Sequence, residues 1–176
     1  MIIGNFIKGI ELKHKNHYFL GLCSNSAKCK KDNIFFAIKG TKIDGNKFIN
    51  HAIKKGAKII ISNQKFEGIK KDILFIKSFN VRKSLSEFSY TIYKNKPKNI
   101  IAVTGTNGKS SVADFYFQIL KFNKKKVASI GTLGIKTKNY IKEVSNTTID
   151  PITLSVVLNK LKKEKINNVI LEASSH

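Results

Sequence analysis

Short continuous apolar runs alternate along this chain with apolar residues at helical spacing, so it reads as strands separated by helices. Residues 18–24 (Tyr-Phe-Leu-Gly-Leu-Cys-Ser) and 34–38 (Ile-Phe-Phe-Ala-Ile) read as strands, the second one buried. A polar loop, residues 25–33, lies between them, and residues 40–46 form another. Phe48, Ile49, Ala52 and Ile53 then share one helical face, with Gly56 placed as a C-terminal stop. Residues 58–62 and 73–76 are further short strands. Val81, Leu85, Phe88 and Ile92 sit at helical spacing in a segment that ends before Pro97.

Residues 95–98 (Asn-Lys-Pro-Lys) form a polar, proline-bearing break where one α/β pattern closes and another opens. Two domains are expected, 1–96 and 97–176. The second opens with a buried strand, residues 100–103, followed by a helix showing Val112, Phe115, Ile119 and Phe122 on one face. Residues 127–130 are a strand running into Gly131-Thr132-Leu133-Gly134, and a short strand is expected within 139–144. A helix opens near Pro151 with Leu154, Val157, Leu158 and Leu161 as its stripe, and residues 168–171 form a buried strand. The alternation predicts a parallel sheet with right-handed crossovers. So few strands after residue 103 make an incomplete sheet, and the chain is expected to be a piece of a longer protein.

Composition changes this picture little. At 176 residues, 41% hydrophobic and 10% aromatic, the chain can bury a core and is not disordered. No apolar run approaches the roughly 20 residues needed to span a bilayer. The N-terminus lacks a basic stretch followed by an apolar block, so a cytoplasmic protein without stable membrane insertion is expected. Cys23 and Cys29 are expected as free thiols. The net charge of +22 raises nucleic-acid binding as a possibility. Yet all but one of the 33 basic residues are lysine, spread along the whole chain, and Arg82 is the exception. Readers of bases and phosphates favour arginine, so nucleic acid is not the expected partner. A non-catalytic nucleotide- or RNA-binding module is the alternative that the charge keeps open.

The chemistry concentrates in residues 100–111, Ile-Ile-Ala-Val-Thr-Gly-Thr-Asn-Gly-Lys-Ser-Ser. A strand, a glycine-punctuated turn, Lys-Ser and a helix together describe a phosphate-binding loop. Backbone N–H groups of the turn and helix N-terminus face an anion, and Lys109 supplies a point charge. Ser110 has the residue type and position that places a hydroxyl on magnesium. Gly105 is separated from Gly108 by only Thr106 and Asn107, shorter than the general phosphate-loop pattern.

Residues 103–111 resemble the nucleotide loop of the Mur ligase family, in which that short spacing is usual. Ser-Ile-Gly-Thr-Leu-Gly (129–134), Asn-Thr-Thr (146–148) and Leu-Glu-Ala-Ser-Ser-His (171–176) resemble the family's muramyl-tripeptide synthetase branch, in the same order. Ser-Asn-Ser (24–26), Ile-Phe-Phe-Ala-Ile-Lys-Gly (34–40) and Asp44-Gly45 before Phe48-Ile49 extend the similarity over nearly the whole chain. The loop alone would also fit folylpolyglutamate synthase. The resemblance implies an N-terminal UDP-substrate-binding α/β domain, followed by the first part of a parallel-sheet ATPase domain of phosphate-loop type. It implies an ATP-dependent ligase adding diaminopimelate or lysine to UDP-N-acetylmuramoyl-L-alanyl-D-glutamate in peptidoglycan synthesis. The full-length enzyme is expected to be a monomer, and the piece alone to be inactive.

By this resemblance Gly105, Thr106, Asn107, Gly108, Lys109, Ser110 and Ser111 hold ATP. Ser110 and Glu172 are magnesium ligands, and Lys109 and Glu172 act in catalysis. Asn146, Thr147, Thr148 and Ser174 contact the UDP-muramyl substrate, and Ser24, Ser26, Thr41, Lys42 and Ile43 hold its uridine end. His176 matches a family motif whose role here is open. Two departures are visible: the usual Asp-Ser-Arg is Asn25-Ser26-Ala27, and Ile149 stands where a proline is usual.

Overall fold

The computed structural model describes residues 1–7, 11–40, 43–143 and 149–173. The chain divides into two compact units, Met1–Ile92 and Tyr93–His176. Each carries its own five-stranded sheet.

In the first unit, β1 (Gly21–Cys23), β2 (Asn33–Phe36), β3 (Ile59–Ser62) and β5 (Ile73–Lys77) are parallel neighbours, and β4 (Gly68–Lys70) closes the edge antiparallel to β5. Every residue of β2 and β3 is buried, as expected of central strands covered on both faces. Successive side chains of a strand face opposite ways, and Phe35 and Phe36 divide accordingly. Phe35 joins Cys23, Cys29, Ile60 and Ile73 under Ile49 and Ala52 of α1 (Ile49–Lys54). Phe36 meets Phe88 of α2 (Val81–Ile92) edge to face, 5.4 Å between ring centroids, and Phe88 also stacks on Phe6. Val81, Leu85 and Phe88 are buried, as the helical spacing requires. The α1 segment is preceded by a single 3-10 turn, Gly45–Phe48, and chain reversal at Gly56 uses a φ of 103°.

In the second unit, β6 (Asn99–Val103), β10 (Asn168–Glu172) and β7 (Val127–Gly131) are parallel, with β10 in the middle. β7 continues into an antiparallel meander, β8 (Gly134–Lys136) and β9 (Ile141–Lys142). The sheet is therefore mixed rather than wholly parallel. The glycine pair Gly131 and Gly134 brackets a tight turn that sends the chain straight back. Helix α3 (Lys109–Phe122) follows β6 and packs on β7 and β10. Helix α4 (Pro151–Lys163) precedes β10 and closes a core of Ala128, Ile130, Ile135, Leu158, Leu161 and Val169. Asp150 caps α4 by accepting from the backbone N–H groups of Ile152 and Thr153, with Pro151 in the first turn.

Two expectations for this unit are corrected. β6 is not buried: Ile100 and Ile101 are 39% and 43% exposed, because β6 is an edge strand paired only to β10 among the described residues. The face of α3 that packs inward carries Ala113 and Phe117, whereas Val112, Phe115, Ile119 and Phe122 lie exposed. The helix has two apolar faces, and the sheet covers the narrower one. No helix among the described residues is long and apolar enough to cross a membrane.

Candidate functional site

The C-terminal ends of the three parallel strands of the second unit gather its polar chemistry. After β6 the chain turns through Gly105, at φ 145°, and Gly108, at φ 77°, before α3 begins at Lys109. Both glycines hold backbone conformations that side chains other than glycine rarely adopt. No side chain caps the helix, so the first-turn N–H groups of α3 have no side-chain acceptor at Gly108. The Lys109 ammonium folds back over the loop and donates to the carbonyls of Gly105 and Thr106, at 2.6 and 3.2 Å. The ammonium is thereby held on the same loop that leads into the uncapped N-terminus of α3, and a cation beside free backbone N–H groups suits a phosphate chain.

Glu172 ends the central strand β10 with only 4% of its surface exposed. A buried carboxylate is costly unless its oxygens are hydrogen-bonded, and this one is served from two sides. Ser110, on the first turn of α3, donates to Oε2 at 2.9 Å. Thr132, just past β7, donates its hydroxyl to Oε2 at 3.0 Å and its backbone N–H to Oε1 at 3.3 Å. Gly131 leaves the room: a Cβ there would stand 2.2 Å from Oε1 and 2.4 Å from the carboxyl carbon of Glu172. One turn further along α3, Asp114 accepts from Lys136 at 2.7 Å. The Lys136 ammonium, aided by Gln118, holds the Asp114 carboxyl below its usual range.

In the first unit, β1 and β2 run parallel, so the loops that follow them leave from the same edge of the sheet. Ser26 opens a 3-10 turn, Ser26–Lys28, and is buried, with its hydroxyl 2.9 Å from His51 Nδ1 on α1. Ser24 lies exposed on the same loop. Ile43, in the loop after β2, is 61% exposed. Cys23 and Cys29 are free, buried thiols that bracket the Ser24 loop and hydrogen-bond one another. That bond raises the Cys23 thiol, with burial adding to it, and lowers Cys29.

Of the residues expected from the sequence, the structure thus brings Lys109, Ser110 and Glu172 to one sheet edge within the second unit. Ser24, Ser26 and Ile43 belong to the first unit. Thr41, Lys42, Asn146, Thr147, Thr148, Ser174 and His176 lie outside the described residues. Sequence reading placed Gly131 and Thr132 in a motif but not in contact with Glu172, and did not single out His51, which meets Ser26. For Thr132 a signal existed, since it directly follows a strand neighbouring the one that ends in Glu172. A cavity of about 1080 Å³, lined by Phe117, Lys121, Lys124, Tyr140 and Glu164 among others, opens at the opposite end of α3 and contains none of the expected residues.

Both units match known proteins. A family model described as Mur ligase family, catalytic domain, matches residues 18–98, and one described as Mur ligase middle domain matches residues 103–176. The chain belongs to the Mur ligase family. Its relatives in that family include the UDP-N-acetylmuramoyl-L-alanyl-D-glutamate--2,6-diaminopimelate ligase of Rickettsia prowazekii (strain Madrid E). The two are 42% identical over 92% of this chain and 34% of the relative. The enzyme of the same name from Buchnera aphidicola subsp. Schizaphis graminum is 38% identical over 90% of this chain and 33% of its own length. The Mur ligase chain described here therefore spans about a third of the length of these relatives. A solved structure of a ligase with that name superposes with a TM-score of 0.79 and 25% identity, over all of this chain and 36% of the other. The MurF ligase from Thermotoga maritima in complex with ADP shares the fold, with a TM-score of 0.56 and 23% identity over 88% of this chain and 32% of its own.

Proposed function

We propose that this chain is the nucleotide- and UDP-substrate-holding part of an ATP-dependent ligase of peptidoglycan synthesis. The whole enzyme would join an amino acid, diaminopimelate by the names of its relatives, to UDP-N-acetylmuramoyl-L-alanyl-D-glutamate. In that reaction the terminal phosphoryl group of ATP passes to the substrate carboxylate. The incoming amine then attacks the acyl phosphate, and inorganic phosphate leaves as the amide forms. Two polyanions must meet, so the barrier falls mainly through positioning and neutralisation of charge. Residues 105–111 hold the phosphates of ATP, with Lys109 supplying positive charge where the transferred group becomes most negative.

The donor set at Ser110 and Glu172 fits a hard divalent cation. It offers a carboxylate and a hydroxyl, both oxygen, on elements that also present the phosphate loop. Ser110 and Glu172 would hold magnesium there. When bound, the ion would supply positive charge to offset the negative charge of the phosphates. Ser24, Ser26 and the 41–43 loop hold the uridine end of the substrate, and Asn146, Thr147, Thr148 and Ser174 its muramyl part. A location in the cytoplasm accords with such a substrate.

The observation that carries this reading is the hydrogen bond from Ser110 to Glu172, which joins the phosphate loop to the central strand end. Titrating the chain with ATP and magnesium, and separately with UDP-N-acetylmuramoyl-dipeptide, tests it. Lys109→Ala is expected to weaken ATP binding about tenfold or more, the loss typical of a charged hydrogen-bond partner, and to leave the UDP-substrate affinity unchanged. ATP binding at wild-type strength in that variant would overturn the loop assignment.

A further inference from the structure

The loop after β1 is closed by its own backbone. Asn25 Oδ1 accepts from Ala27 N–H at 2.9 Å, Lys28 N–H donates to the Asn25 carbonyl at 3.0 Å, and Cys29 N–H donates to the Ser26 carbonyl at 3.3 Å. None of these bonds involves the Ser26 hydroxyl. That hydroxyl is instead tied to a different element, by its 2.9 Å contact with His51 Nδ1 across 25 residues of sequence. Helix α1, which carries His51, packs against both the Ser26–Lys28 turn and the Gly45–Phe48 turn. His51 is itself exposed, so its ring does not serve the core under α1, which is built from Ile49 and Ala52.

From this geometry we infer that His51 is a positioning residue for the uridine end of the substrate, acting through the Ser26 hydroxyl. The inference rests on the proposed role of Ser26 and extends it. A serine hydroxyl has one hydrogen and two lone pairs and rotates freely unless something holds it. The contact with His51 uses one of those groups and fixes the direction of the others. A pyrimidine nucleoside diphosphate, which presents both carbonyl and phosphate oxygens, then meets a hydroxyl already oriented rather than one that must be ordered on binding. The loop backbone does not depend on His51, so its removal frees the hydroxyl without unfolding the turn.

The test is UDP binding by the 176-residue chain, measured by calorimetry for the wild type and for Ser26→Ala, His51→Ala, His51→Asn and the Ser26→Ala/His51→Ala double variant. ATP affinity and the urea midpoint serve as checks that each variant is folded. Ser26→Ala and His51→Ala should each weaken UDP about five-fold, the scale of one hydrogen bond, and the double variant should be no worse than Ser26→Ala alone. His51→Asn keeps a polar side-chain atom near the place of Nδ1 and should recover most of the loss. If Ser26→Ala weakens UDP but His51→Ala does not, the inference fails and the role of Ser26 stands. If His51→Asn is as weak as His51→Ala, positioning through this bond is likewise overturned. If the wild type does not bind UDP, or Ser26→Ala binds it unchanged, the role of Ser26 falls and the inference with it.

Discussion

Ser110 and Glu172, 62 residues apart in the chain, share a hydrogen bond of 2.9 Å that links the first turn of α3 to the end of β10. The carboxylate would otherwise be an unpaired buried charge, and Thr132 completes its environment from the neighbouring strand. Glu172→Gln removes the charge at nearly unchanged shape, because an amide oxygen at the Oε2 position still accepts from the Ser110 and Thr132 hydroxyls and only the Thr132 N–H loses its acceptor. The variant should fold as the wild type does. Its ATP affinity, compared with and without magnesium, should lose most of the gain that the cation confers on the wild type. An undiminished magnesium effect would remove Glu172 from the metal site.

Gly131 is required by space, not by backbone freedom. Its φ lies outside the left-handed region, yet a Cβ at this position would overlap the Cγ, Cδ and Oε1 atoms of Glu172. Because the carboxylate is buried and hydrogen-bonded on both oxygens, it cannot swing aside without losing those bonds. Gly131→Ala is therefore expected to cost about 1–3 kcal/mol, as overpacking typically does, and to weaken magnesium-dependent ATP binding as well. Urea unfolding measures the first effect. A stability within about 0.5 kcal/mol of wild type would mean that Glu172 relaxes freely.

Much of the fold was legible in the sequence because its strongest signals are local. The fully apolar runs that became β2 and β3, and the Val81–Leu85–Phe88 stripe of α2, each obey a single periodicity. What escaped depends on groups far apart in the chain or on unusual turn chemistry. β4 was missed because its hairpin to β5 turns on Lys71 and Asp72, at φ 50° and 59°, where Asn-Gly is the recognisable pair. The stripe on α3 was seen, but periodicity cannot say which of two apolar faces meets the sheet. In the candidate site, the loop and Glu172 were singled out by motif. The support from Thr132 depends on β10 sitting beside β7, a relation that no short stretch encodes.

The outward face of α3 carries Phe115 at 66% exposure and Phe122 at 89%. Neither side chain contributes appreciable burial in this chain, so replacing them should not unfold it. Phe115→Lys with Phe122→Lys is expected to change the unfolding free energy by less than about 0.5 kcal/mol. Any concentration-dependent self-association should fall in the same pair, because two exposed aromatic rings of one helix face are removed. Sedimentation at several concentrations tests the second point. A loss of several kcal/mol in urea unfolding would show that the inward face of α3 had been misassigned.

The Asp114–Lys136 pair gives the second unit a defined dependence on acidity. The ammonium of Lys136 lowers the folded-state pKa of Asp114, so between the folded and unfolded values the unfolded chain binds more protons. The pair's contribution is accordingly complete above about pH 4, where a free aspartate is ionised. It shrinks as the pH falls through the lowered folded value and is absent below it. Both side chains keep a quarter to a third of their surface in water, at 25% and 33%, so screening limits the contribution to about 0.5 kcal/mol. Asp114→Asn should therefore melt about 2–4 °C below the wild type at pH 7, and the two melting curves should converge as the pH is lowered through the folded value. A gap that persists unchanged in acid would mean that the aspartate stabilises the unit through its shape or hydrogen bonds rather than its charge.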